Sequence, residues 1–197
     1  MSRFPPVPHD QQPDDTKPYS QYFEDGIEEL FGPSGQLMKY RDENNAIIGP
    51  WPIIIASKQV GRQLMSIFEH LPSLGKIPED VKEIAILTVG ARFEADYERY
   101  AHKPHGMKRA GLTQEQVDLL AVGKRPAGLS EAANLAYDAT HHLAYIPGPL
   151  PQHLFDACER SFGRDGTLLL VHYTALYCYM CVLMNAADVP LPKGEKL

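Results

Sequence analysis

At 197 residues with 44% hydrophobic content, the chain has the size and apolar fraction of one globular domain with its own core. A formal net charge of −6 and a pI near 5.7 provide no basic face for phosphates, which argues against nucleic acid and membrane surfaces and favours a small neutral or anionic metabolite. Cys158, Cys178 and Cys181 form no disulfide framework, and the opening Met-Ser-Arg-Phe-Pro-Pro-Val-Pro carries no charged-then-apolar leader, so a cytoplasmic location is expected.

Residues 1–18 place Pro5, Pro6, Pro8, Pro13 and Pro18 among Asp and Gln, a composition too polar to offset the cost of ordering its backbone. This predicts an extended arm, disordered or draped over a neighbouring subunit, with Phe4 and Val7 as its anchors, ahead of a single helical domain over 19–197. Tyr22, Phe23, Ile27, Leu30 and Phe31 make a helical stripe that stops at Gly32-Pro33. The Gly49-Pro50-Trp51-Pro52 corner leads into a helix from about Ser57 to His70, with Val60, Leu64, Ile67, Phe68 and Leu71 on one side.

Pro78 followed by Glu79 and Asp80 marks the next helix start, since proline is tolerated at the first position and acids favour the positive end of the dipole. Phe93 to Ala110 is read as a helix closed by Gly111, and Thr113 with Gln116 as a capping box for its successor. Ser130 caps a helix to about Tyr145; Pro151 opens another that Gly163 ends; the last runs from about Asp165 to Ala187. That final segment is apolar over roughly the ~20 residues a bilayer requires, yet His172, Asn185 and its tyrosines suit the central helix of a bundle or a subunit interface better. No alternating β-branched runs with hairpin turns occur, so the fold is expected to be an all-α bundle of about eight helices.

The most informative stretch is Glu83 to His102. It sets a lone Glu83 on one apolar helix and a Glu98/His102 pair four residues apart on the next, so three proton-handling groups can meet where the helices pack. Periodicity puts Phe93, Tyr97, Tyr100 and Met107 on one face and Glu98, His102 and His105 on the other. Left uncovered, that second face is a solvated surface; covered by another layer or subunit, it becomes a buried cluster with shifted pKa values. Glu98, His102 and His105 also have metal-ligand chemistry, but three ligands from one helix rarely converge, so no metal is expected. Adjacent His141 and His142 point apart and are read as incidental. The Cys178-Tyr-Met-Cys181 run lies in the most apolar helix, where buried thiols behave as small hydrophobes.

Glu83 to His102, with Ala110-Gly111-Leu112-Thr113 after it and Asn185 to Pro192 at the end, resembles the carboxymuconolactone decarboxylase family, the larger group that includes the alkylhydroperoxidase-D proteins. The likeness spans most of 35–192, with Gly49-Pro50-Trp51 similar to the family's lead-in. It implies an alkylhydroperoxidase-D-like helical bundle and self-assembly as a dimer, trimer or hexamer. Ala95 and Glu98 stand where the family's peroxidase branch carries two redox cysteines, which argues against thiol hydroperoxidase activity at that site. What remains resembles the decarboxylase-like branch and implies cofactor-free acid–base chemistry on a small carboxylated lactone. In that reading His102 donates the proton, Glu98 orients it and Glu83 is a second carboxylate; Arg92 anchors the substrate anion, with Arg62 as its alternate, Tyr97 donates to an oxyanion and Trp51 walls the pocket. Hydrolysis or isomerisation of a related lactone, or ligand binding without turnover, are the alternatives.

Overall fold

In the computed structural model, which describes residues 2–197, the chain folds into eight α-helices: α1 Lys17–Phe31, α2 Trp51–Ala56, α3 Lys58–His70, α4 Glu79–Arg92, α5 Asp96–Lys108, α6 Gln114–Ala121, α7 Glu131–Tyr145 and α8 Gln152–Ala187. The described residues contain no strand, only one isolated bridge between Arg41 and Ile47. The all-α expectation holds.

Helix α4 is the hub. From Val81 to Gly90 every side chain except Lys82 is buried, because the helix is apolar on all sides and packs against α5, α6, α7 and α8. The sequence suits the final helix either to that central role or to a subunit interface, and the central role falls to α4. Helix α8 buries one side on α4 and α7 and exposes Leu168, Tyr179 and Val182 on another. It is long and apolar enough to cross a bilayer, with half of its most apolar window buried inside the bundle. Gly163, at φ 70°, breaks α8 at the position where the sequence predicted two separate helices.

Caps fall where side-chain chemistry placed them. Thr113 accepts from the Gln116 amide while the Gln116 side chain accepts from Thr113, and the Ser130 hydroxyl accepts from the Ala133 amide. Pro78 and Pro151 sit one residue earlier than predicted, as N-caps rather than first helical residues.

Four local expectations need correction. Trp51–Ala56 is a helix of its own, not a lead-in. Helix α3 turns Gly61, Leu64 and Met65 inward and leaves Val60 and Ile67 exposed, because the bare Gly61 backbone lets the Ile54 carbonyl approach. Helix α5 begins at Asp96, since Phe93 caps α4 and Glu94 turns left-handed at φ 51°. The arm is shorter than 18 residues: α1 starts at Lys17 after one 3-10 turn at His9–Gln11. Phe4 and Val7 stay exposed, and the arm is held by polar groups instead. The Arg3 amide donates to the Ala187 carbonyl at 2.7 Å, and its guanidinium donates to the Ala186 carbonyl at 2.7 Å, satisfying the last carbonyls of α8.

Candidate active site

The link over 93–95 folds α5 back along α4, bringing Gly90 against Glu98 and Arg99, and Glu83 against His102. Gly90 permits this approach because a Cβ there would press on the Arg99 side chain at 3.3 Å. With α1 and α8 covering the far side, the polar face of α5 is not solvated: Glu83 is 2% exposed, Glu98 5%, His102 6% and His105 3%. Of the two outcomes open from periodicity, the covered one is realised.

His102 sits between two acids. Its Nδ1 lies 2.8 Å from Glu83 Oε2, and its Nε2 lies 3.2 Å from Glu98 Oε1. Burial alone would strip the proton from this imidazole, but the Glu83 and Glu98 charges and hydrogen bonds outweigh it and push its pKa up to about 10. His102 is therefore an imidazolium at neutral pH, with both ring nitrogens facing carboxylates.

His105, one turn on, is the opposite case. Burial first, and then the adjacent His102 charge, pull its pKa down to about 4; the Arg109 and Lys82 charges act in the same direction and Glu83 against it. Its ring lies 5.4 Å from that of His102 and meets Phe31 edge-on at 5.9 Å. Its Nε2 is buried and has no hydrogen-bond partner.

Tyr177, which sequence reasoning missed, comes from α8 and stands edge-on to His102 at 5.2 Å. Burial, and then the Glu98 and Glu83 charges, hold its hydroxyl well above the usual phenol range. Its signal was faint: one polar-tipped ring among several on the uncharged stretch of α8 after Asp165. Cys181, one turn further on, is fully buried and its thiol is raised by burial and by Glu98, so it is no thiolate.

The predicted binding residues divide. Trp51 is 3% exposed and packs on Phe31 at 6.3 Å, the same ring that touches His105; its indole N–H has no partner. Tyr97 is buried away from the cluster and donates to the Lys39 carbonyl at 2.8 Å. The exposed Arg92 stacks its guanidinium on Phe93 and Tyr145 and donates to the Ala144 carbonyl, while exposed Arg62 lies over Tyr22. Neither arginine contacts the cluster within the protomer. His141 stacks on Tyr145 at 4.3 Å, remote from the site's imidazoles. A surface groove of about 1270 Å³ runs between the arm, the loop before α2 and the chain's final residues, lined by Phe4, Lys39, Ile48 and Leu191, with no cluster residue in its walls.

No family model matches the chain, and no curated protein matches its sequence. Solved structures do. A crystal structure of the debrominase Bmp8, as a cysteine-to-alanine variant in complex with 2,3,4-tribromopyrrole, superposes with a TM-score of 0.71 at 13% identity, covering 98% of this chain and 93% of that one. The two chains share a fold. The apo form of Bmp8 agrees, with a TM-score of 0.71 at 12% identity over 98% of this chain and 94% of that chain. At these identities the likeness to Bmp8 extends to architecture alone.

Proposed function

We propose that this chain is a cofactor-free acid–base enzyme of the carboxymuconolactone decarboxylase-like kind, acting on a small molecule. The observation that carries this reading is the buried Glu83–His102–Glu98 array, a proton-loaded imidazole clamped by two acids from two helices. Holding such an array inside a core costs stability, so its presence favours a chemical use. On a carboxylated lactone, carbon dioxide departs, its bonding electrons pass into the carbonyl as an enolate, and the His102–Glu98 couple returns a proton to carbon. Glu98 is the acid at the looser, 3.2 Å end, where a substrate can intervene. With Ala95 and Glu98 at the redox positions, thiol hydroperoxidase chemistry there remains disfavoured.

One observation favours a second reading, isomerisation or hydrolysis of a neutral lactone or enone. Two carboxylates surround one imidazolium, and Arg92 and Arg62 both lie off the cluster, so a substrate carboxylate finds few cations within the protomer. Arg109, whose charge reaches His105, is the candidate anchor if the substrate is an anion. The reading also includes a cytoplasmic location and self-association, supported by the exposed apolar side chains of α8.

Mass spectrometry of a panel of carboxylated lactones, neutral lactones, enones and hydroperoxides tests it. Turnover should be abolished in His102→Gln with circular dichroism and assembly unchanged; unchanged turnover removes the assignment. Arg109→Gln should raise KM for a carboxylated substrate and leave a neutral one unaffected.

A further inference from the structure

The array proposed above leaves one part of the reaction without a partner. Decarboxylation and enone isomerisation both build negative charge on a carbonyl oxygen, and that charge needs donors aimed at it before it forms. His102 is committed to the proton transfer to carbon, its two nitrogens held by Glu83 and Glu98. Beside Phe31, two buried nitrogens have no partner. The Nε2 of His105 and the Nε1 of Trp51 are each in a ring only 3% exposed, each lacks a hydrogen-bond partner, and both rings rest on Phe31, at 5.9 Å and 6.3 Å. An indole N–H can only donate, and leaving it unpaired in a core costs about 1–3 kcal/mol. Two such orphans against one ring, beside a proton-transfer array, are a pattern that a ligand oxygen would satisfy.

We propose that His105 and Trp51 form the oxyanion-binding pair of this site, donating from Nε2 and Nε1 to the enolate oxygen of a small planar substrate that enters along the Phe31 ring. Phe31 ends α1 and is only partly buried, the most exposed of the three rings. His105 acts as a neutral donor. Burial and the His102, Arg109 and Lys82 charges oppose its protonation, which keeps one N–H for the oxygen without adding a second charge beside His102. No electrons leave the substrate: the pair accepts none and gives up no proton, while the proton that quenches the enolate comes from the His102–Glu98 couple.

The inference rests on the acid–base reading and is separable from it by experiment. With 4-nitrophenol as a planar oxyanion probe, absorbance should show the bound phenol ionising at lower pH than the free one. Nitrogen-15 NMR should show the Trp51 indole and the His105 ring shifting together on binding. Trp51→Phe and His105→Phe should each weaken binding of the anion by about tenfold, and His105→Asn, which keeps an N–H donor, should recover most of that loss. A probe that binds His105→Phe as tightly as the unaltered protein, or that moves neither nitrogen, overturns the assignment. Full turnover in His105→Phe with none in His102→Gln would overturn this pair and leave the acid–base reading standing.

Discussion

The carboxylate of Glu83 and the imidazole of His102, 19 residues apart in the chain, meet at 2.8 Å across the α4–α5 interface with both side chains almost wholly enclosed. The contact is at once a helix–helix tie and the tighter half of the proton-holding array. Replacing Glu83 with Gln keeps shape and removes charge. The variant should lose about 3 kcal/mol or more of stability in urea unfolding, and the His102 pKa should fall from about 10, as followed by NMR titration. A variant with unchanged stability and an unshifted imidazole would show that the pair is not held as an ion pair.

The two histidines predict a peaked stability curve. His102 binds its proton more tightly folded than unfolded, so its contribution is complete below about 6.5 and is lost as pH rises toward about 10. His105 binds its proton less tightly when folded, so its contribution is complete above about 6.5 and is lost as pH falls toward about 4. Thermal midpoints measured across pH should therefore be highest near 6.5 and decline on both sides. His105→Asn should flatten the acid limb only.

Tyr97 is expected to matter for folding and not for chemistry. Its hydroxyl donates to the Lys39 carbonyl, and its ring fills the space that a side chain on Gly49 would need. Tyr97→Phe should cost about 1 kcal/mol in denaturant unfolding with kcat unchanged. Gly49→Ala, at φ 80° and against that ring, should be far more damaging to stability.

The thiols give a negative control with a defined sign. Burial raises both Cys178 and Cys181 above the ordinary thiol range, which suppresses the nucleophilic form. Cys178→Ala should leave turnover intact, and hydrogen peroxide should not be consumed faster than by a protein-free control. Loss of activity in Cys178→Ala would restore a redox role for the Cys-x-x-Cys run.

Much of the architecture was readable because its signals are local. Thr113 and Gln116 cap each other within one turn, Ser130 caps its own helix, and Gly163 breaks α8 by a conformation that other residues resist. The pairing of Glu83 with Glu98 and His102 was also legible, from their placement on successive helices. Contacts set by distant chain were not. Nothing near Val60 says that the neighbouring Gly61 is the inward residue, since that depends on where the Ile54 carbonyl lies. Tyr177 and Phe31 reach the histidines from α8 and α1, and Arg92 lies over the adjacent Phe93 and over Tyr145 of the distant α7. Burial of the polar side of α5 likewise required knowing that two further helices close over it.

An acid planted in the most enclosed helix of the bundle sets durability against usefulness. An aliphatic side chain at position 83, with a matching apolar change at 98 and 102, would give a sturdier interior, since packed hydrocarbon commonly outperforms an enclosed ion pair. Laboratory evolution for heat resistance alone should then erase all three polar groups together, while selection for turnover should preserve them through every round.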